Sequence, residues 1–328
     1  MLARTADNLF WMARHIERAE NTARILDVAQ RSSLLPLDIE GAEAYLWFAP
    51  LNITGCAALY EAKYGLARAD AVTHFMALDP DNPSSIYSCL RLARENARSV
   101  RGAITSEMWE VINATWLELN RLSRQITNES FPDFFDWVKD RSHMFRGVTL
   151  GTIIKDVALS FIKLGTFLER ADNTARILDV KYHILLPSVQ DVGGAADYYQ
   201  WGSLLKSVSA FEAYRKIYRD VISPLRVAEL LILSHDMPRS LHACMNEVEA
   251  ALIDINGSSG REVRRRAGEL HASLHFGRIE DVFEQGLHEY LTDVLEQTDQ
   301  LGSGIRDAYM SRRELFPAST PIRLAFAQ

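Results

Sequence analysis

The chain has 328 residues, of which 48% are hydrophobic and 24% charged, with a formal net charge of −7. That balance is globular rather than disordered, and an acidic total argues against a nucleic-acid scaffold, which needs a basic face to neutralise phosphates. Gly (17) and Pro (10) are scarce, so the composition leans helical.

The N-terminal segment MLARTADNLFWMARHIERAENTAR lacks the apolar run of a signal peptide. No window approaches the ~18 uncharged apolar residues of a membrane span. Cys56, Cys89 and Cys244 have no CxxC spacing, which fits a reducing compartment, and the expected location is the cytoplasm. Leu9, Met12, Ile16, Ala19, Ala23 and Leu26 alternate spacings of three and four, the stripe of a long helix. Further helices are expected over about 39–67, 83–103, 105–128 and 132–146. Asn82-Pro83 reads as an N-cap with proline in the first turn, and Thr105 as an N-cap followed by Glu107. A second long helix carries the stripe Val157, Phe161, Leu164, Leu168, Ala171, Ala175 and Leu178. After it come helices at about 195–219, 224–235, 238–256, 259–276 and 278–302, and no alternating strand of useful length.

A self-comparison reveals a repeat. IERAENTARILDV (16–28) and LERADNTARILDV (168–180) agree at eleven of thirteen positions. Weaker matches pair LYEAKY with AFEAYR, placing Glu61 opposite Glu212, and DNPSSIYSCL with DMPRSLHACM, placing Cys89 opposite Cys244. The expected architecture is all-α. Two related units, 1–148 and 149–310, pack about a pseudo-two-fold axis as one body, and 311–328 form a C-terminal tail.

On a helical wheel the charges of the repeated segment share one sector beside the apolar stripe. In the first copy these are Glu17, Glu20, Arg24 and Asp27, and in the second Glu169, Asp172, Arg176 and Asp179. Two readings compete. Glu20–Arg24 and Asp172–Arg176 have the order of i,i+4 surface pairs. Alternatively both sectors form a buried polar centre between the units, in which case losing Arg24 or Arg176 costs about 3–5 kcal/mol. Glu17, Glu20, Glu169 and Asp172 have the i,i+3 spacing of bundle carboxylates that hold metal. Histidine is missing from the motif and the arginines compete with a cation, so no metal and no cofactor is expected.

Arg94, Arg98 and Arg101 share a helix face, with Arg91 nearby. They are expected to serve the acidic sectors as partners, or else to bind a carboxylate or phosphate. Arg261–Arg278 precede a segment, 279–299, with seven acids and no Lys or Arg, so the two should pair as a hairpin. His271 and His275 are i,i+4, a metal-compatible spacing, but no HExxH surrounds them and ordinary surface or core histidines are expected. Cys89 and Cys244 lie on apolar faces and read as packing residues, and the six tryptophans as core anchors. There is no Gly-rich phosphate loop and no GxSxG, hence no recognisable catalytic constellation.

TADNLFWMARHIERAENTARILD, DPDNPSSIYSCLRLARENARSVRGAITSEMWEVIN and LGTFLERADNTARILD resemble the alpha-E family, bacterial all-helical proteins of unknown molecular function. The resemblance implies a genomic neighbourhood: a circularly permuted ATP-grasp protein, a transglutaminase-like peptidase and sometimes a proteasome-like peptidase, read as a peptide-ligation or protein-tagging system. The family's emphasis on glutamate carries over to Glu17, Glu20 and Glu169, while Asp172 departs from it. The implied role is a non-catalytic partner of the ATP-grasp amidoligase, or a subunit that presents its substrate. The alternative is an enzyme or ligand-binding protein that uses the duplicated clusters. No nucleic-acid or membrane partner is expected, and self-association stays open.

Overall fold

A computed structural model describes residues 1–33, 42–184, 195–255 and 260–311, and every regular element among them is helical. The first half holds α1 (Ala3–Ser33), α2 (Ala42–Ile53), α3 (Ala57–Tyr64), α4 (Ala69–Ala77), α5 (Ile86–Ser99), α6 (Ser106–Leu122) and α7 (Phe131–Thr152). The second holds α8 (Val157–Ile184), α9 (Ala195–Ser207), α10 (Phe211–Tyr218), α11 (Pro224–Ile232), α12 (Leu241–Ile255), α13 (Arg261–His275), α14 (Ile279–Gln285) and α15 (Leu287–Ile305). The tail 312–328 lies outside the described residues.

Three expected helices are each two. The segments at 39–67, 195–219 and 278–302 break where the backbone turns left-handed, at Gly55 (φ 67°), Ser209 (φ 54°) and Gly286 (φ 101°). Glycine takes that conformation without a Cβ penalty. Helix α4 follows α3 closely and was not expected from the pattern. Two cap assignments divide. Thr105 caps α6 by accepting from the Met108 amide. At α5, however, Ser85 is the cap, accepting from the Ser88 amide. Asn82 instead builds a turn, its Oδ1 accepting from the Ser84 amide while its Nδ2 donates to the Phe75 carbonyl.

The fold is organised on α1 and α8, which pack directly on each other. Helices α5 and α7 cover α1, helices α12 and α15 cover α8, and α2 and α9 each touch both long helices. The largest apolar cluster draws Leu9, Phe10 and Met12 together with Phe161, Leu164 and Leu168, so it runs across the 148/149 boundary. Each such side chain contributes about 1.5–3 kcal/mol on burial. The two helices approach closely at Gly165, where a Cβ would run into the Phe10 carbonyl and press on Ala13.

The short helices correct one alignment. Tyr60 is the fourth residue of α3 and Tyr214 the fourth of α10, and both are fully buried. Each hydroxyl donates to a downstream carbonyl, Leu66 or Val221, and accepts the amide of Arg68 or Ser223. In that register Glu61 falls opposite Arg215. The pairing of Glu61 with Glu212 is therefore set aside; both glutamates are exposed. Of the tryptophans, Trp47 and Trp201 are buried anchors, while Trp11, Trp109, Trp116 and Trp137 are half-buried.

Candidate functional site

The centre of the α1–α8 contact is ionic. Glu17 and Arg18 are consecutive on α1, and Glu169 and Arg170 are consecutive on α8. Arg170 donates to both oxygens of Glu17, Nε to Oε1 and Nη2 to Oε2, each at 2.9 Å. Arg18 does the same to Glu169, at 2.5 and 3.0 Å. Each helix thus lends its carboxylate to the other's guanidinium. The result is two crossed bidentate pairs, the strongest geometry for this interaction. Glu17 and Glu169 are 1% and 4% exposed, so neither charge could be tolerated there without such partners.

More arginines reach the same carboxylates. Arg14 donates to Glu169 at 2.7 Å while its guanidinium lies over the Trp11 ring. Arg239, from the turn before α12, donates to Glu17 (3.1 Å), Glu20 (2.6 Å) and Asn21 (2.9 Å). Arg146 of α7 contacts Glu17 and Glu20, and the Ser142 hydroxyl donates to Glu20 at 2.6 Å. Arg24 closes the edge. Its Nε donates to Glu20 (2.9 Å), its Nη1 to the Ser209 hydroxyl, and its Nη2 lies 3.2 Å from His143 Nε2. Among the described residues, six arginines (Arg14, Arg18, Arg24, Arg146, Arg170 and Arg239) face three buried carboxylates.

The titration behaviour follows from that ratio. Burial by itself raises each carboxyl, but the guanidiniums outweigh it. Glu17 is lowered chiefly by Arg170 and Arg239. Glu20 is held well below its ordinary value by His143, Arg239 and Arg146. Glu169 is brought to about 2 by Arg18 and Arg14. Arg239 moves downward, because burial and the Arg170 and Arg24 charges outweigh Glu17 and Glu20. His15, its ring tilted 30° to that of Trp11 with centroids 5.5 Å apart, is pushed to about 4 by burial and by Arg18.

The remaining sequence candidates sit elsewhere. Asp27 belongs to a separate pair of bridges, to Arg31 (2.7 Å) and to Lys139 of α7 (2.9 Å). Asp172 and Arg176 pair with each other at 2.8 Å, the arginine side chain 40% exposed. Asp179 lies 2.5 Å from His288 Nδ1 of α15. The Arg94–Arg101 stripe does not reach the acidic sectors. Arg94 binds Asn113 and Glu95, Arg98 binds Glu95, and Arg101 stacks on Trp109. Helix α13 does pack on α15, yet Arg265 and Arg266 pair with Glu262 and Glu269 of their own helix. Cys89 and Cys244 are buried thiols pushed up to about 12 by burial, which suits packing and not nucleophilic attack. A cavity of about 20 Å³, bordered by Ile16, Ala93, Ile112, Ser142 and Phe145, adjoins the ionic centre and has room for one water.

A family model described as a predicted alpha-helical domain with a conserved ER motif matches residues 1–310. The chain belongs to the Alpha-E family. Glu-Arg occurs twice in this Alpha-E chain, as Glu17-Arg18 and Glu169-Arg170, the four residues of the crossed pairs. The chain is similar to an uncharacterized protein of Mycobacterium bovis, 26% identical over 319 residues, which cover 89% of this chain and 35% of the relative. Two uncharacterized proteins of Mycobacterium tuberculosis match over the same span at 26% and 25% identity. The match thus spans about a third of the length of these curated relatives. No solved structure matches. No described helix is long and apolar enough to cross a membrane.

Proposed function

We propose that this chain is a non-catalytic helical subunit that docks the circularly permuted ATP-grasp amidoligase of a peptide-ligation system, or presents that enzyme's peptide substrate. The observation that carries the reading is the saturation of the ionic centre. Every oxygen of Glu17, Glu20 and Glu169 already accepts from a guanidinium or a hydroxyl. Surrounded by guanidiniums, these carboxylates are poorly placed to move a proton or hold a cation, so in this reading the duplicated motif clamps the two halves together and the outer surface does the work. A pseudo-two-fold arrangement suits that role, and the matching order of contacts (α5 and α7 on α1, α12 and α15 on α8) supports it. The similar unit in the mycobacterial relatives lies within longer chains, which fits a module working beside other domains. The partner's identity rests on the alpha-E resemblance, with the transglutaminase-like peptidase as a further member. Co-elution of the purified chain with the ATP-grasp protein, and a change in ligase rate on adding it, are expected. No association at micromolar concentration together with an unchanged rate removes the reading.

The excess of arginine favours a second reading, a ligand site at the cluster's edge. Arg24, Arg146 and His143 border it, and their side chains are 11%, 27% and 52% exposed. A phosphate or carboxylate of the substrate would find convergent donors there. Inorganic phosphate should then raise the melting temperature of the parent but not of Arg24→Ala. Equal shifts in both exclude it.

A further inference from the structure

His242 of α12, three residues past Arg239 of the ionic centre, meets His271 and His275 of α13. One ring nitrogen from each lies within 4.8 Å of the other two. The far side of each of two rings is already tied. His242 Nδ1 sits 3.0 Å from the Leu233 carbonyl, which can only accept, so that nitrogen carries the proton and Nε2 keeps its lone pair. His271 Nδ1 sits 2.7 Å from a Glu249 carboxylate oxygen, which leaves Nε2 as the nitrogen of that ring without this partner. His275 Nδ1 lies 3.3 Å from His242 Nε2. Two imidazole nitrogens on a tetrahedral ion with bonds of about 2.0–2.1 Å are separated by about 3.4 Å, so this edge already has the required length.

We propose that His242, His271 and His275 form a three-histidine site for a zinc-class divalent metal, with a fourth position open to solvent. Imidazole is the ligand such ions prefer. A carboxylate behind one ligand and a backbone carbonyl behind another are the outer partners that orient metal-binding histidines. Burial falls across the set, from His242 at the bottom to exposed His275 at the mouth. That gradient leaves one face for water or an incoming donor atom, the pattern of an open site, not a closed structural one. Leu233, whose carbonyl meets His242, also lines a groove of about 420 Å³ with Ser234, Gly277, Glu229 and Tyr218. The inference concerns α12 and α13 and is independent of the docking reading.

The test uses the full chain, freed of any affinity tag, stripped with a chelator and titrated with Zn²⁺ alone by calorimetry and with Co²⁺ by visible absorption. One ion per chain and the intense ligand-field bands of four-coordinate Co²⁺ are expected. His275→Ala, an exposed position whose loss leaves the fold intact by its melting curve, should weaken Zn²⁺ binding by about 100-fold or more. Glu249→Gln should weaken it about 10–100-fold through its hold on His271. Failure of the parent to take up one ion saturably overturns the proposal. So does unchanged affinity in both His271→Ala and His275→Ala.

Discussion

Replacing Glu17 by Gln tests the crossed pairs most directly. The substitution keeps the shape and removes the charge. Arg170 and Arg239, with side chains 8% and 7% exposed, then lose the carboxylate on which both converge. Removing one member of a buried pair costs about 3–5 kcal/mol, since the stranded charge cannot be rehydrated. With an unfolding entropy of about 2.1 cal/mol/K per residue, a 328-residue chain has about 0.7 kcal/mol/K in total, so about 4 kcal/mol lowers Tm by about 6 °C. Calorimetry on the parent, Glu17→Gln, Arg170→Gln and the double variant isolates the pair, and a coupling of about 1–3 kcal/mol is expected. A single variant melting within about 1 °C of the parent, or a coupling below about 0.5 kcal/mol, refutes the reasoning.

Other outcomes follow from the same geometry. Glu169 lies below its ordinary value of 4.5, at about 2, so its contribution is present above pH 4.5 and fades as pH falls toward 2. From about pH 4.5 down to about 2 the urea midpoint should drop, and Glu169→Gln should flatten this part of the drop; an identical acid profile in the variant contradicts it. Gly165→Ala gains about 1 kcal/mol of helix propensity but forces a Cβ against the Phe10 backbone, an overpacking cost of about 1–3 kcal/mol, so chemical denaturation should find a net loss. A more stable variant would show that α1 can shift freely. Arg176→Ala should change stability by less than about 1 kcal/mol, because its pair with Asp172 is part-exposed; a loss on the scale of Glu17→Gln would place it in the ionic centre after all.

The helices themselves are legible from periodicity, and the repeat singles out Glu17, Glu20 and Glu169. Their principal partners are not. Arg18 and Arg170 belong to the repeated segment, yet on a wheel Arg18 points away from the apolar stripe and reads as a solvated residue. The stripe misleads because no residue of α1 from Thr5 to Gln30 is fully exposed, and even its least buried face, with Asp7, Trp11, Arg14 and Arg18, is half-covered. A helix enclosed all round has no single inward face, and a long guanidinium reaches around it. Arg146 and Arg239 carry no repeated signal, and their role depends on α7 and on the turn before α12 closing over α1. His242 was equally invisible, for only the packing of α12 on α13 brings it to the i,i+4 pair. The helix breaks at Gly55 and Gly286 could have been placed from their glycines, but Ser209 had no such marker.

The crossed pairs also bear on how the chain is made. Glu17 and Arg18 leave the ribosome 153 and 151 residues before Arg170 and Glu169, the partners that match them. Until then Glu17 has only Arg146 of its own half as a charged partner and Arg18 lacks its carboxylate, so enclosing this helix early costs more. A nascent or truncated product ending before α8 is therefore held back from a false core, exposed to chaperones and proteases. Closing so long a loop makes folding slower than helical content alone suggests. The crossed pairs thus make the enclosure of α1 depend on residues of both halves.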